Sequence, residues 1–188
     1  MINLSKGSRV NLTKEAPGAT TFRMGMGWDT RVTDGAEFDL DASGLLLDAN
    51  GKPLGEKPLV FFNEQASACG GVTTSGDNLT GEGEGDDETI TVDLNKIDSA
   101  VDKIVLVVTI HEAESRSQNF GMVDNAFVRI LQDDSNEPVA RYDLTEDYST
   151  ETAVIFGELY KKEGDWRFAA KGDGFAGGLA AFLGKYGL

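Results

Sequence analysis

Apolar and polar residues alternate along most of this chain with a period of two, which in an extended strand puts every second side chain on the same face. The alternation predicts strands over residues 9–12, 21–28, 38–47 and 89–94, with a short buried run at 59–62. Residues 103–110, Lys-Ile-Val-Leu-Val-Val-Thr-Ile, are instead almost continuously apolar. A strand of that kind has no face for water and belongs inside a sheet covered on both sides. Segments 126–131, 139–144, 153–160 and 166–170 bring the number of strands to about ten. Turn-forming residues separate them at intervals that suit an antiparallel sandwich and are too short for strand–helix–strand crossovers. Asn50-Gly51 is the clearest hairpin signal. Helical spacing occurs only over 178–186, where Leu179, Phe182, Leu183 and Tyr186 fall on one face. The expected fold is mostly β, an antiparallel β-sandwich of about ten strands with a short C-terminal helix, forming one domain over 1–188.

Charge narrows the range of partners. The 188 residues hold 32 Asp and Glu against 17 Lys and Arg, a formal charge of −15. That balance excludes nucleic acid, whose binding needs a basic stripe to displace phosphate counterions. It also opposes docking on an anionic membrane unless a divalent cation bridges the surfaces. Cys69 is the only cysteine, so no internal disulfide forms. The first residues lack the apolar stretch of a signal peptide, and no run approaches the roughly 18 apolar residues of a membrane span. No membrane insertion is expected, and the cytoplasm is the expected compartment. One His and one Cys cannot supply a zinc set. His111 reads as a strand-end packing residue, and Cys69 has no basic neighbour in sequence to activate it. The chain is read as a non-enzyme.

Candidate chemistry sits in the acidic stretches. Residues 76–88 pack six carboxylates, one amide and four glycines into thirteen positions, with no Lys or Arg. Crowded carboxylates raise one another's pKa and oppose compaction, so an ordered loop of this kind calls for a cation. Carboxylate, amide and carbonyl oxygens on a glycine-rich backbone suit Ca2+ better than Mg2+, which keeps more of its water. A second cluster runs upstream through Asp29, Asp34, Glu37, Asp39 and Asp41. Asp39 and Asp41 share a strand face about 7 Å apart, and Asn63 places an amide at the end of the 59–62 run. Loops of a sandwich gather at its two ends, which lets Asp29, Asp39, Asn63 and the 76–88 loop converge at one of them. The loop is not an EF-hand: Leu79 and Gly81 stand where side-chain oxygens belong, and Glu82 where the turn glycine belongs. Acidic residues between Gly81, Gly83 and Gly85 argue against a phosphate cradle. Three further readings stay open: a solvated acidic hairpin, a Ca2+-dependent module for sugars or lipid headgroups, and a paired-carboxylate hydrolase.

The chain resembles the TerD-type tellurium-resistance and bacterial stress proteins. The resemblance rests on Met26-Gly27-Trp28-Asp29, Phe38-Asp39-Leu40-Asp41-Ala42-Ser43 and Gly76-Asp77-Asn78-Leu79-Thr80-Gly81 running into the acidic residues up to Glu88. It continues through Ile110-His111-Glu112-Ala113-Glu114-Ser115-Arg116-Ser117-Gln118-Asn119-Phe120-Gly121, Arg141-Tyr142-Asp143-Leu144 and Gly174-Phe175-Ala176-Gly177-Gly178-Leu179, in the family's order over nearly the whole chain. It implies a cytoplasmic β-sandwich that binds two Ca2+ ions through acidic loops. The ions' candidate ligands are Asp29, Asp39, Asp41, Asn63, Asp77, Asn78, Glu82, Asp86 and Asp87, with Gly27 and Gly81 offering carbonyl oxygens. The resemblance also implies a role in tellurite resistance exerted through other tellurite-resistance proteins, in complexes associated with a membrane. Glu64 departs from the family pattern, in which an amide is common after Asn63, and offers an extra ligand. Gly44 replaces a bulkier apolar residue. Arg116, Gln118 and Asn119 admit two readings: residues that hydrogen-bond their own loop, or a docking surface.

Overall fold

The computed structural model of the protein describes residues 1–30, 38–75, 86–146 and 148–188. In chain order the elements begin with β1 (Ile2–Leu4), β2 (Arg9–Asn11), α1 (Leu12–Glu15), β3 (Thr21–Thr30), β4 (Leu40–Leu47), β5 (Leu59–Val60) and β6 (Val72–Thr74). They continue with β7 (Glu88–Asp93), β8 (Lys103–Ile110), α2 (Ala113–Arg116), β9 (Val123–Gln132), β10 (Pro138–Asp143), β11 (Ala153–Lys162), β12 (Asp165–Phe175) and α3 (Gly178–Lys185). The strands form two six-stranded sheets. The first runs β1-β10-β9-β3-β7-β6 and the second β2-β12-β11-β8-β4-β5. All pairings are antiparallel except β1 with β10.

Each strand expected from the alternation is present, and β1 and β6 are additional. Leu12, expected to end a strand, instead opens α1, because the Asn11 side chain accepts the Lys14 N–H at 3.1 Å and caps the turn. The Asn50-Gly51 turn closes on Asp48, whose N–H donates to the Lys52 carbonyl at 2.8 Å, and Gly51 takes a φ of +74°.

The core lies between the sheets. Phe22, Met24, Met26 and Trp28 of β3 face Leu40, Ala42 and Leu46 of β4 and Ile104, Leu106, Val108 and Ile110 of β8. A second cluster covers the outer face of the second sheet, where Phe182 of α3 packs on Leu45, Leu47, Val105, Val107, Ala153 and Ile155. This explains why β8 is apolar throughout: alternate residues meet the first sheet and the helix. Leu179, Leu183 and Tyr186 pack against the same cluster.

Candidate functional site

Strand register decides where the candidate ligands stand. β3 pairs antiparallel with β7, Met26 opposite Glu88, so Asp29 and the Asp86-Asp87 pair share one end of the first sheet. β4 pairs antiparallel with β8, Leu40 opposite Ile110, which puts Asp39 and Asp41 where β4 starts. β5 runs back along β4 with Val60 opposite Gly44, carrying Asn63 toward the same end of the second sheet. A bond across the sandwich joins the two ends: the Glu88 carboxylate accepts the Ala42 N–H. Asp29, Asp39, Asp41, Asn63, Asp86 and Asp87 therefore lie at one end of the molecule. Asp34, Glu37, Asp77, Asn78, Gly81 and Glu82 lie outside the described residues.

At that end the described donors divide between the sheets. On the first sheet, the Asp86 carboxyl lies over Gly25 and accepts Arg129 Nε at 2.6 Å, with 9% of its side chain exposed. Asp87 Oδ2 accepts the Trp28 N–H at 2.9 Å, while its own N–H donates to the Met26 carbonyl at 2.8 Å. Burial holds the Asp87 carboxyl above the usual carboxylate range; the Trp28 hydrogen bond works against this, and the charges of Asp29 and Asp86 reinforce it. Asp29 is exposed, and its Oδ2 accepts Asn125 Nδ2 at 2.7 Å.

On the second sheet, the Asp39 carbonyl accepts the His111 N–H at 2.8 Å. Asp41 is buried and stands opposite Thr109. Asn63 is exposed in a turn closed by reciprocal backbone bonds between Phe61 and Glu64, each 3.0 Å. The Glu64 carboxylate, read as a possible extra ligand, is paired with Lys57 Nζ at 2.8 Å. His111 meets the Phe62 ring edge-on at 6.5 Å.

Among the described residues no group of three or more His, Cys, Asp or Glu side chains stands close enough together to hold a metal ion. The donor chemistry is nonetheless that of a hard cation. It consists of carboxylates and carbonyls, and burial together with the charges of Asp29 and Asp86 raises the Asp87 carboxyl, a cost that a cation would ease.

Two residues were missed as site features. Glu88 was counted with the acidic loop, but it is the first residue of β7 and 2% exposed. The inward alternation of Glu88, Ile90 and Val92 was the signal for it. Arg129 occupies an outward position of β9, and nothing local to it indicates that Asp86 is its partner. In the Arg116–Gly121 region Gln118 is buried and its N–H donates to the Ala113 carbonyl at 2.8 Å. Arg116 pairs with Glu112 at 3.3 Å. Both contacts serve the loop itself.

The TerD domain matches residues 1–186. Tellurium resistance protein TerD of Serratia marcescens is 54% identical over 187 residues, spanning 100% of this chain and 97% of that protein. General stress protein 16U of Bacillus subtilis (strain 168) is 53% identical over 188 residues, again with 100% and 97% covered. Among solved structures, a homologue of telluride resistance protein (TerD) from Streptomyces coelicolor A3(2) superimposes with a TM-score of 0.72 at 22% identity, covering 88% of this chain and 95% of that one. That last likeness bears on the fold. No helix among the described residues is long and apolar enough to cross a membrane.

Proposed function

The chain belongs to the TerD family of tellurium-resistance and general stress proteins, and from that premise we propose that it is a Ca2+-binding, non-enzymatic stress protein acting through partner proteins. The observation that carries the reading is the gathering of Asp29, Asp86 and Asp87 at the shared end of β3 and β7, where burial first and the two neighbouring charges after it raise the Asp87 carboxyl. Among the described residues one cation, Arg129, pairs with Asp86 there, which leaves net negative charge for a divalent ion to neutralise.

Asp29, Asp86 and Asp87 would hold one ion together with donors from residues 76–85. Asp39, Asp41 and Asn63 are the candidates for a second. When bound, Ca2+ supplies positive charge that draws carboxylates together, and no chemical step is required of it. This chain's own residues prepare the end: Trp28 and Arg129 orient Asp87 and Asp86, and Glu88 ties β7 to β4 behind them. Filling such sites stabilises the native state by about 2.7 kcal/mol per site at a free concentration one hundred times Kd. The ordered end then offers a surface to proteins of the same resistance system.

Calorimetric titration of EDTA-treated protein with Ca2+, alongside thermal melts and Mg2+ as competitor, tests the reading. The expected result is two ions bound per chain with a clear rise in Tm. Absence of both heat and shift would reduce the acidic loops to solvated surface.

A further inference from the structure

A second candidate site lies on the outer face of the second sheet, beyond the end of α3. The helix covers only the apolar part of that face. Toward the end where β4 begins, the outward positions turn polar: Asp41 and Ser43 on β4 and Thr109 on β8, with Thr152, whose Oγ1 accepts the Gly178 N–H at 2.8 Å, lining the same cavity. All four are buried, with 7, 1, 5 and 9% exposed. Polar side chains on the outside of a sheet ordinarily face water. Here Asp41, Ser43 and Thr109 form the floor of a cavity of about 820 Å³, within the size range of small-molecule sites. Asp41 and Thr109 are direct cross-strand neighbours. Ser43 Oγ is buried at that floor and has no hydrogen-bond partner among the described residues. A buried hydroxyl left that way is costly, and a ligand group that bonded to it would remove the cost.

The walls and rim define what fits. Phe61 and Phe62 stand edge to face at 5.2 Å along one side, and Leu179 of α3 lies on another. His111, Glu112 and Glu114 line the mouth, and no Lys or Arg among the described residues lines the cavity. The floor offers one carboxylate and two hydroxyls, a set dominated by acceptors. An anion entering would meet three carboxylates. A donor-rich cation would meet acceptors at the floor and aromatic rings beside it.

We propose that this cavity is a binding site for a small organic cation, an amine or guanidinium on an apolar body, with its charged end on Asp41, Ser43 and Thr109 and its body against Phe61, Phe62 and Leu179. The site shares Asp41 with the second candidate Ca2+ group, so Ca2+ and the organic cation would compete there; the cavity and the Ser43 hydroxyl are features of the protein alone, and the test is made without Ca2+.

Tryptamine, tryptophol and indole-3-acetate form a matched cation, neutral and anion set for an NMR titration in EDTA. Tryptamine is expected to give saturable shifts at the amides of residues 41–43, 109 and 178–179. The other two are expected to bind at least about tenfold more weakly, the equivalent of one charge-assisted hydrogen bond. Ser43→Ala removes only the hydroxyl, and Ser43 is not among the candidate Ca2+ ligands. It is expected to keep its fold and Ca2+ response while weakening tryptamine about tenfold. Asp41→Asn is expected to abolish the preference for cation over neutral probe. Equal binding of all three probes, no saturation in the millimolar range, shifts confined to another surface, or unchanged affinity in Ser43→Ala would each overturn the assignment.

Discussion

Alanine at Gly25 is expected to unseat Asp86. A methyl built on Gly25 would stand 2.0 Å from Asp86 Oδ2 and 2.1 Å from its Cγ, where non-bonded atoms need about 3.5 Å. The carboxyl must swing off the sheet, leaving the 2.6 Å contact with Arg129 and adding charge beside Asp87, whose carboxyl is already raised by burial and by its neighbours' charges. A hydrogen bond to a charged group contributes about 1.5–3 kcal/mol, less where a partner is wetted. Arg129 is 34% exposed, so the loss should come to about 1–2 kcal/mol. Alanine's smaller unfolded-state entropy offsets about 0.5 kcal/mol of this. The net loss of about 1 kcal/mol corresponds to about 2–4 °C in Tm for a chain of this size.

Gly44→Ala is the matched control. Its added carbon would meet Ile90 Cδ1 at 3.6 Å and side-chain carbons of Ile104 and Val72 at 3.7 Å. These are ordinary contacts, so this variant is expected to gain about 0.5–1 kcal/mol. Urea unfolding of both variants, with a double-mutant cycle through Asp86→Ala, measures the effect. In the Asp86→Ala background Gly25→Ala should cost nothing further. If it costs the same with and without the Asp86 carboxyl, or stabilises as Gly44→Ala does while that carboxyl is present, the reasoning fails.

Asp87 gives a pH signature. Burial and the neighbouring charges hold its folded-state pKa above the usual carboxylate range, so the native state binds more protons over the interval just above that range, and stability falls as pH rises through it. Asp87→Asn keeps an acceptor for the Trp28 N–H and should remove this slope. In EDTA its Tm relative to the parent should improve from about pH 4 upward, and parallel pH profiles would contradict the assignment. Phe182 is fully buried, with its ring 5.3 Å from Tyr186. Phe182→Ala should cost about 3–5 kcal/mol by guanidinium unfolding, and a loss below about 1 kcal/mol would mean that α3 is not holding the sheet.

What the sequence disclosed followed from periodicity. The unbroken apolar run of β8 announced cover on both faces, and the spacing of Leu179, Phe182, Leu183 and Tyr186 identified the helix that provides it. β1 and β6 escaped notice because three residues each carry no period, and only pairing with β10 and β7 makes them strands. The acidic residues were legible as a group but not as individuals. Parity along β4 sends Asp41 outward to Thr109, on a different sheet from Asp86 and Asp87. Asp86 reads as a loop carboxylate until Arg129, 43 residues away, is seen beside it. Glu88 was legible in principle, since the alternation it begins already turned it toward the core.

The two short strands at the beginning of the chain set an order of events during synthesis. β1 closes on β10 in one sheet and β2 on β12 in the other, and Asn11 Nδ2 reaches Asp165 Oδ2 at 2.7 Å across 154 residues of sequence. On a ribosome adding about 5–20 residues per second, β2 emerges roughly eight to thirty seconds before its partner exists. Until then the edges that β1 and β2 will occupy cannot be sealed, and the nascent sandwich is a template for strands of other chains. β1 and β2 are made long before they can dock, so interrupted translation would leave a species prone to join its neighbours.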